Sequence, residues 1–223
     1  MKRLFDILLS GVAFIFLSPL LIPVMVVLKF TGEGYIFYTQ QRVGRGGENF
    51  DLLKFATMLK DSPNLPGGDI TQGNDPRVLP FGRFLRKTKI NELPQILNIL
   101  KGDISVVGPR PLTPKNYSYY TEEVRDAING LKPGLTGIGS IVFRDEESIL
   151  ANSGKAPLDC YREDISPYKG QLEVWYKNNQ SFITDLKLIF LTAWVIVFPE
   201  SRLYEKILNG LPERPDFLKR FKG

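Results

Sequence analysis

Hydrophobic residues are distributed very unevenly along the chain. The segment Ile7–Leu28 contains 22 residues without a charge, and an α-helix of that length can cross a hydrocarbon core of about 30 Å. A second apolar segment, Leu188–Phe198, has 11 residues and is too short to span a bilayer. Between them, short strand-like and helix-like patterns alternate with glycine- and proline-rich turns. The pattern predicts a membrane-associated protein with a folded domain behind the first apolar segment.

The first apolar segment admits four interpretations: a cleaved signal peptide, a transmembrane span, a buried core helix and a re-entrant hairpin. Ser18–Pro19 lies near its middle and Pro23 follows, so a helix is expected to bend or break there. Basic residues stand on both sides, Lys2 and Arg3 before the segment and Lys29 after it. The positive-inside rule places both flanks in the cytoplasm only if the chain returns to the same face. The sequence therefore favours a hairpin, although prolines also occur in ordinary spans.

The rest of the pattern predicts a mainly α-helical domain with a small β-hairpin, an α+β fold. Strand-like segments at 35–40 and 49–55 flank a glycine-rich turn. For the second apolar segment, an interfacial amphipathic helix and a buried core helix fit equally well. We place the domain boundaries at 1–30 for the membrane segment, 31–199 for the main domain and 200–223 for a C-terminal extension.

Composition narrows the chemistry. The chain has 223 residues with no histidine and one cysteine, which excludes Ser-His-Asp triads, Cys-His dyads, histidine-based zinc sites and internal disulfides. It carries 29 Lys and Arg against 24 Asp and Glu, a net charge of +5. An enzyme of this composition must work with carboxylates, arginines, lysines, hydroxyls, backbone amides or an oxygen-bound metal ion. Nucleic acid is not an expected partner, because aromatic residues do not alternate with the basic ones.

Three clusters of polar residues suggest a site for an anion. They are the basic segment 77–89, the segment Asn91–Gln95, and Lys101–Asp103 running into Gly108–Pro111. Arginine side chains match phosphate oxygens, and nearby carboxylates suit Mg²⁺. A solvated basic surface, or one lying on anionic lipid, is the alternative interpretation.

Taken together, the order and spacing of these motifs resemble the bacterial sugar transferases of the monotopic phosphoglycosyl transferase superfamily. The resemblance runs from Lys2 to about Thr192, which is most of the chain. The motifs that carry it are Lys2-Arg3-x-x-Asp6, Ser18-Pro19, Gln41-Arg42-x-Gly44, Lys54-Phe55-x-x-Met58, Asn74-Asp75-Pro76-Arg77, Glu92-Leu93-Pro94-Gln95, Lys101-Gly102-Asp103, Gly108-Pro109-Arg110-Pro111, Pro133-Gly134-Leu135-Thr136-Gly137 and Asp185-Leu186-Lys187.

The resemblance implies transfer of a phosphosugar from a UDP-sugar to a polyprenol phosphate, usually undecaprenyl phosphate, with release of UMP and a requirement for Mg²⁺. It implies a re-entrant first helix broken at Ser18–Pro19, and interfacial amphipathic helices around a small cytoplasmic catalytic domain. The protein would lie on the cytoplasmic face of the bacterial inner membrane, and a homodimer is considered. The family mechanism is ping-pong, through an Asp-Glu dyad whose aspartate forms a covalent phosphosugar intermediate.

This sequence departs from the family at the nucleophile, because Asn91 stands where the family has the aspartate. The resemblance assigns Glu92 to catalysis and, with Asn91, to metal binding. Asp103 is a further catalytic or metal-binding candidate, with a turn residue at a helix end as the alternative. Three explanations of Asn91 stay open. It is the natural residue of a branch that uses Glu92 or Asp103 as the working carboxylate, an engineered substitution that traps the enzyme, or a sign that the protein has lost activity and is a silent membrane scaffold.

The resemblance also assigns phosphate binding and structural roles. Gly139-Ser140 replaces an Ala-Gln pair that the family often has, which affects the expected phosphate or sugar contacts. The phosphate-binding candidates are Arg110, Arg77, Arg86 and Lys54. The residues expected to shape the structure are Ser18, Pro19, Pro94, Pro109 and Pro111.

Overall fold

The computed structural model describes residues 2–65, 75–219 and 221. Asn74 of the Asn74–Arg77 motif and residues 220, 222 and 223 of the extension lie outside these ranges. The described chain is mostly helical with two two-stranded sheets, which confirms the mainly α, α+β prediction. It forms two compact units, one from the chain up to Arg42 with Phe50–Asp103, the other from Val43–Asn49 with the chain from Ile104 onward. The boundaries proposed at 30 and 199 stay predictions.

The first unit is organised around its long N-terminal helix. Three apolar side chains on the C-terminal half of this helix, Leu21, Val24 and Leu28, join Phe55 and Leu85 in one buried cluster. Burial of these side chains stabilises the unit by roughly 1.5–3 kcal/mol each. In chain order its elements are α1 (Lys2–Phe30), the hairpin strands β1 (Phe37–Val43) and β2 (Asn49–Phe55), α2 (Pro80–Lys87), a 3₁₀ turn (Ile90–Glu92) and α3 (Gln95–Lys101).

Helix α1 continues through both of its prolines. Pro19 has no N–H to donate to the carbonyl of Ile15, four residues earlier, and the Ser18 hydroxyl donates to that carbonyl instead, at 2.8 Å. The predicted break is therefore not an interruption of the helix, because a proline can bend a helix without ending it. The re-entrant course of the chain stays a prediction.

Both ends of α1 contact the same unit, whereas its middle does not. At the N-terminal end the Arg3 guanidinium donates to the carbonyl oxygens of Ile99 and Leu100, the latter at 2.7 Å. At the other end Leu28 is buried in the apolar cluster. In the stretch 11–20 no side chain is buried. By length and composition α1 could cross a membrane, and 17% of its most apolar window is buried.

The second unit is built on a short parallel pair of strands. Ser105 pairs with Gly134 and Val107 with Thr136. The helix Phe182–Val197 packs on both strands, and the helix Ile138–Val142 packs on that helix and on the helix Ser166–Asn179. The elements are β3 (Ser105–Val107), α4 (Pro114–Tyr117), α5 (Glu122–Ile128), β4 (Gly134–Thr136), α6 (Ile138–Val142), α7 (Glu146–Asn152), α8 (Pro157–Cys160), a π-helical turn (Tyr161–Ile165), α9 (Ser166–Asn179), α10 (Phe182–Val197), α11 (Leu203–Ile207) and α12 (Asp216–Lys219).

Helix α10 contains most of the second apolar segment and has one buried and one exposed face. Leu188, Leu191 and Val195 are buried, whereas large apolar side chains such as Phe190 and Ile196 are exposed. One face therefore belongs to the core of the second unit. Placement of the other face in a membrane interface stays a prediction.

The C-terminal extension packs onto α9. The Trp175 indole donates to the carbonyl of Asn209 at 3.0 Å, and the Tyr168 hydroxyl donates to that of Pro212 at 3.2 Å. Leu218 of α12 is fully buried. The extension is thus part of the second unit's core.

Candidate active site

The position of the family nucleophile lies in a tight turn between α2 and α3. Lys89 precedes this turn with φ 61°, a left-handed conformation. Such a conformation costs a residue with a side chain about 1–2 kcal/mol, and it is sustained only where the surroundings enforce it. Here α2 and the turn pack against one another. We refer to Ile90–Glu92 as the Asn91 turn.

Asn91 is buried, with 6% of its surface exposed. Its side-chain oxygen, Oδ1, has no hydrogen-bond partner among the described residues. A buried acceptor without a partner costs about 1–3 kcal/mol, so such groups call for an explanation such as a bound ion, water or ligand. Glu92 follows directly and is partly exposed. One amide oxygen and one carboxylate are hard oxygen donors of the kind that Mg²⁺ accepts.

Asp103 belongs to a network that fastens the end of α3 to β2. Its Oδ2 accepts from the Asn98 amide at 2.9 Å and lies 3.2 Å from Lys101 Nζ. The same Asn98 side chain donates to the carbonyl of Asp51 and accepts from the N–H of Leu53, at 2.8 and 2.9 Å. These contacts favour the structural alternative for Asp103, and its catalytic role stays a prediction.

Arg77 is buried and paired. Its guanidinium forms an ion pair with Asp75, with Nη2 and Oδ2 2.6 Å apart, and Nη1 donates to the carbonyl of Ser62 at 3.0 Å. A guanidinium held in this way supports the loop before α2. The contacts favour a structural role over the predicted phosphate contact.

Arg86 and Lys54 are more accessible phosphate-binding candidates, since both side chains are partly exposed. Arg86 lies on the last turn of α2, with Nη1 3.9 Å from the sulfur of Met58. Lys54 lies on β2. Pro94 is buried at the start of α3, a position where proline fits a helix. All three predicted roles belong to the first unit.

In the second unit, Gly108–Pro111 forms a loop directly after β3, which we call the Arg110 loop. A Cβ atom on Gly108 would lie 2.3 Å from the carbonyl oxygen of Lys132, and one on Gly137 would lie 2.2 Å from that of Gly108. The backbones of the two glycine motifs therefore touch, and a side chain at either position would separate them. Pro109 is buried at the same place. Two motifs that are far apart in sequence thus form one rigid structure.

Arg110 is held by side chains from two further helices. Its Nη1 donates to the hydroxyl of Ser140, and its backbone N–H donates to Oε1 of Glu173, both at 3.3 Å. A Cβ atom on Gly139 would lie 2.6 Å from that Oε1, so a glycine there leaves room for the carboxyl group. Burial raises the pKa of Glu173 to about 7, opposed by the N–H bond and by the charges of Lys169 and Arg110. Arg110 itself remains partly exposed.

Glu173 is the residue of this region that the motifs do not include. It is 63 residues from Arg110 and belongs to no glycine- or proline-rich pattern. The one signal in the sequence is a single acidic residue inside the apolar segment 172–176 of α9. Such a residue is expected to be buried only when a partner is present.

Comparison with known proteins agrees with the motifs. The model of the family described as bacterial sugar transferase matches residues 1–199. The exopolysaccharide production protein ExoY of Sinorhizobium fredii is 33% identical over 205 residues, covering 86% of this chain and 83% of that protein. The undecaprenyl-phosphate galactose phosphotransferase of Salmonella typhimurium is 35% identical over 211 residues, 88% of this chain and 40% of its own. The UDP-glucose:undecaprenyl-phosphate glucose-1-phosphate transferase of Xanthomonas campestris pv. campestris is 33% identical over 197 residues, which cover 86% of this chain and 38% of that protein. With its motifs in order along nearly its whole length, the chain belongs to the bacterial sugar transferase family.

Proposed function

We propose that this protein transfers a sugar 1-phosphate from a UDP-sugar to undecaprenyl phosphate, with release of UMP, as an early membrane step of polysaccharide synthesis. The observation that carries the proposal is the Arg110 loop, which presents a partly exposed guanidinium on a backbone fixed by glycine contacts. Arginine on a rigid support is suited to phosphate oxygens. Relatives named for this reaction match most of the chain.

Mg²⁺ fits the donor atoms of the Asn91 turn. Asn91 offers a buried oxygen without a partner among the described residues, and Glu92 offers a carboxylate. Within the described part of the chain, no group of three or more acidic or cysteine side chains could hold a metal ion. Mg²⁺ commonly takes one or two protein ligands and completes its shell with water and substrate phosphates. When bound, it would neutralise charge on a diphosphate.

Glu92 is our choice for the working carboxylate. An amide such as that of Asn91 is not a nucleophile, and Glu92 is the carboxylate directly beside it, partly exposed in the Asn91 turn. In the proposed reaction a Glu92 oxygen bonds to the β-phosphorus of the UDP-sugar, and the bond from that phosphorus to the bridging oxygen breaks, which releases UMP. An oxygen of undecaprenyl phosphate then takes the phosphosugar and frees Glu92. Arg110 binds a phosphate group of one of the two substrates.

The membrane arrangement is proposed from α1. Its two ends contact the same unit through Arg3 and Leu28, and its middle is exposed and apolar. A helix crossing the bilayer would leave only one end beside a domain on one face. The observation supports a re-entrant course from the cytoplasmic face of the inner membrane, with the exposed face of α10 at the interface. A homodimer stays a prediction.

The alternative is a catalytically silent membrane scaffold, and Asn91 is the observation that favours it. The test is incubation of the purified chain with Mg²⁺, undecaprenyl phosphate and a panel of UDP-sugars, with UMP release and intact protein mass as readouts. We expect release with at least one donor, loss of it in Glu92→Gln, and normal release in Glu122→Gln, a matched change at an exposed glutamate of α5. If no donor supports release in the natural chain and Asn91→Asp restores it, the scaffold is correct.

A further inference from the structure

A buried acid stands beside Arg110 without belonging to any motif of the family. Glu173 lies on α9 with 1% of its surface exposed. Its Oε1 accepts the N–H of Arg110, and its Oε2 is buried without a hydrogen-bond partner among the described residues. The carboxyl group therefore contacts the Arg110 loop from inside the second unit.

Packing alone does not account for a glutamate at this position. Removing a carboxylate from water costs several kcal/mol unless it is paired, and an apolar side chain would fill the same space without that cost. Lys169, one turn earlier on α9, does not compensate for it fully, because its ammonium group forms an ion pair with Glu146. Glu173 also contacts Arg110, through the hydrogen bond to its backbone N–H and through its charge.

The surroundings are adapted to this contact. Gly139 is the residue whose missing side chain makes space for Oε1, because a Cβ atom there would approach within 2.6 Å. The next residue, Ser140, accepts from the Arg110 guanidinium. At the start of α6, Gly139 thus leaves room for the carboxyl group and Ser140 accepts from the guanidinium. Arg110 is held at its backbone by Glu173 and at its side chain by Ser140.

We propose that Glu173 is a positioning residue for Arg110, which holds the Arg110 loop and orients the guanidinium toward a substrate phosphate group. The proposal rests on the proposed function, since it takes Arg110 as a phosphate-binding residue. Glu173 contacts the loop from inside the second unit, so we expect its effect on binding to pass through Arg110. The phosphate group belongs either to the nucleotide or to the polyprenol phosphate.

The test is a double-mutant cycle on the full chain in detergent or nanodiscs. Dissociation constants are measured for two probes, UDP with Mg²⁺ and undecaprenyl phosphate, in the natural chain, Glu173→Leu, Arg110→Ala and the double variant; leucine has no acceptor for the Arg110 N–H. We expect Arg110→Ala to weaken one of the two probes, which identifies the source of the phosphate. For that probe, Glu173→Leu should weaken binding about tenfold alone and less than about twofold in the Arg110→Ala background, as for residues that act as a unit.

Glu205→Gln is the matched control, because it removes a carboxylate from the same unit whose described ion pair is with Arg214. It should lower the melting temperature and leave both dissociation constants unchanged. If Glu173→Leu does not fold, Glu173→Asp, which withdraws the carboxyl group from the Arg110 N–H by one methylene, replaces it in the cycle. Equal effects of the Glu173 variant with and without Arg110, or no effect at all, overturn the positioning role. If Arg110→Ala leaves both probes unaffected, the phosphate role of Arg110 fails first and the positioning role fails with it.

Discussion

The Asn91 turn and the Arg110 loop both carry motif residues, yet they are constructed in opposite ways. In the Arg110 loop, glycines bring two backbones into contact, and the central arginine is bonded at its backbone and its side chain. In the Asn91 turn, a lysine adopts a left-handed conformation and a buried amide oxygen lacks a partner among the described residues. The loop is held by contacts within the chain, whereas the turn contains a buried acceptor that a ligand could occupy. One protein can thus contain a preorganised loop at one position and a strained turn at another.

The largest effect is expected from breaking the backbone contact of the Arg110 loop. Gly108→Ala places a Cβ atom 2.3 Å from the carbonyl oxygen of Lys132, so one backbone must move. We expect a loss of about 4 kcal/mol or more in the free energy of unfolding, the range of severe core changes, together with loss of UMP release. Denaturant unfolding followed by circular dichroism measures it.

Gly130→Ala is the control for this change, because nothing lies within 4 Å of a Cβ atom there. It should unfold like the natural chain. A Gly108→Ala protein with unchanged stability would show that the loop is not fixed by backbone contact.

A smaller effect is expected from pH through Glu173. Burial raises its pKa from 4.5 to about 7, so between these values the folded chain holds a proton that the unfolded chain releases. Stability from this group therefore falls as pH rises from about 4.5 through 7, by on the order of 3 kcal/mol in total. The groups that act on its charge are Arg110, Lys169, Tyr120 and Tyr176.

The measurement is the unfolding free energy of the natural chain and of Glu173→Gln at intervals from pH 5 to pH 8. The natural chain should lose stability relative to the variant as pH rises, since the variant has no proton to release. Parallel curves for the two proteins would contradict a buried, titrating carboxyl group at this position.

The smallest effect concerns the Asn91 turn. Asn91→Leu keeps the size of the side chain and removes the acceptor without a partner, so stability should rise by about 1 kcal/mol while UMP release is lost. The matched change Asn98→Leu removes an amide with three described hydrogen bonds and should destabilise the chain by about 3 kcal/mol. Thermal melts of both variants measure the difference. If Asn91→Leu is destabilised as much as Asn98→Leu, the Asn91 side chain has stabilising partners and is not an open acceptor for a ligand.

Motif order in the sequence was sufficient to predict the family and the mainly helical fold. Local rules predicted a bend or a break at Pro19, and the structure keeps the helix continuous there. The neighbouring Ser18 hydroxyl donates to the carbonyl that the proline leaves free, so the helix passes the proline without an unpaired acceptor.

Glu173 could not be predicted for a different reason. Its partner is 63 residues away, and the space it needs is provided by a missing side chain at Gly139. Long-range complementarity of this kind leaves no periodic pattern in a single sequence. Arg77 shows the converse case, since its motif suggested substrate contact and the fold pairs it with Asp75.

The docking of the C-terminal extension has an optical consequence. The chain contains two tryptophans, and both donate their indole N–H to residues beyond 199: Trp175 to the carbonyl of Asn209 and Trp194 to the hydroxyl of Ser201. Indole emission depends on the polarity and hydrogen bonding of its surroundings. The intrinsic fluorescence of the unlabelled protein should therefore report whether its last twenty or so residues are seated, without any introduced dye.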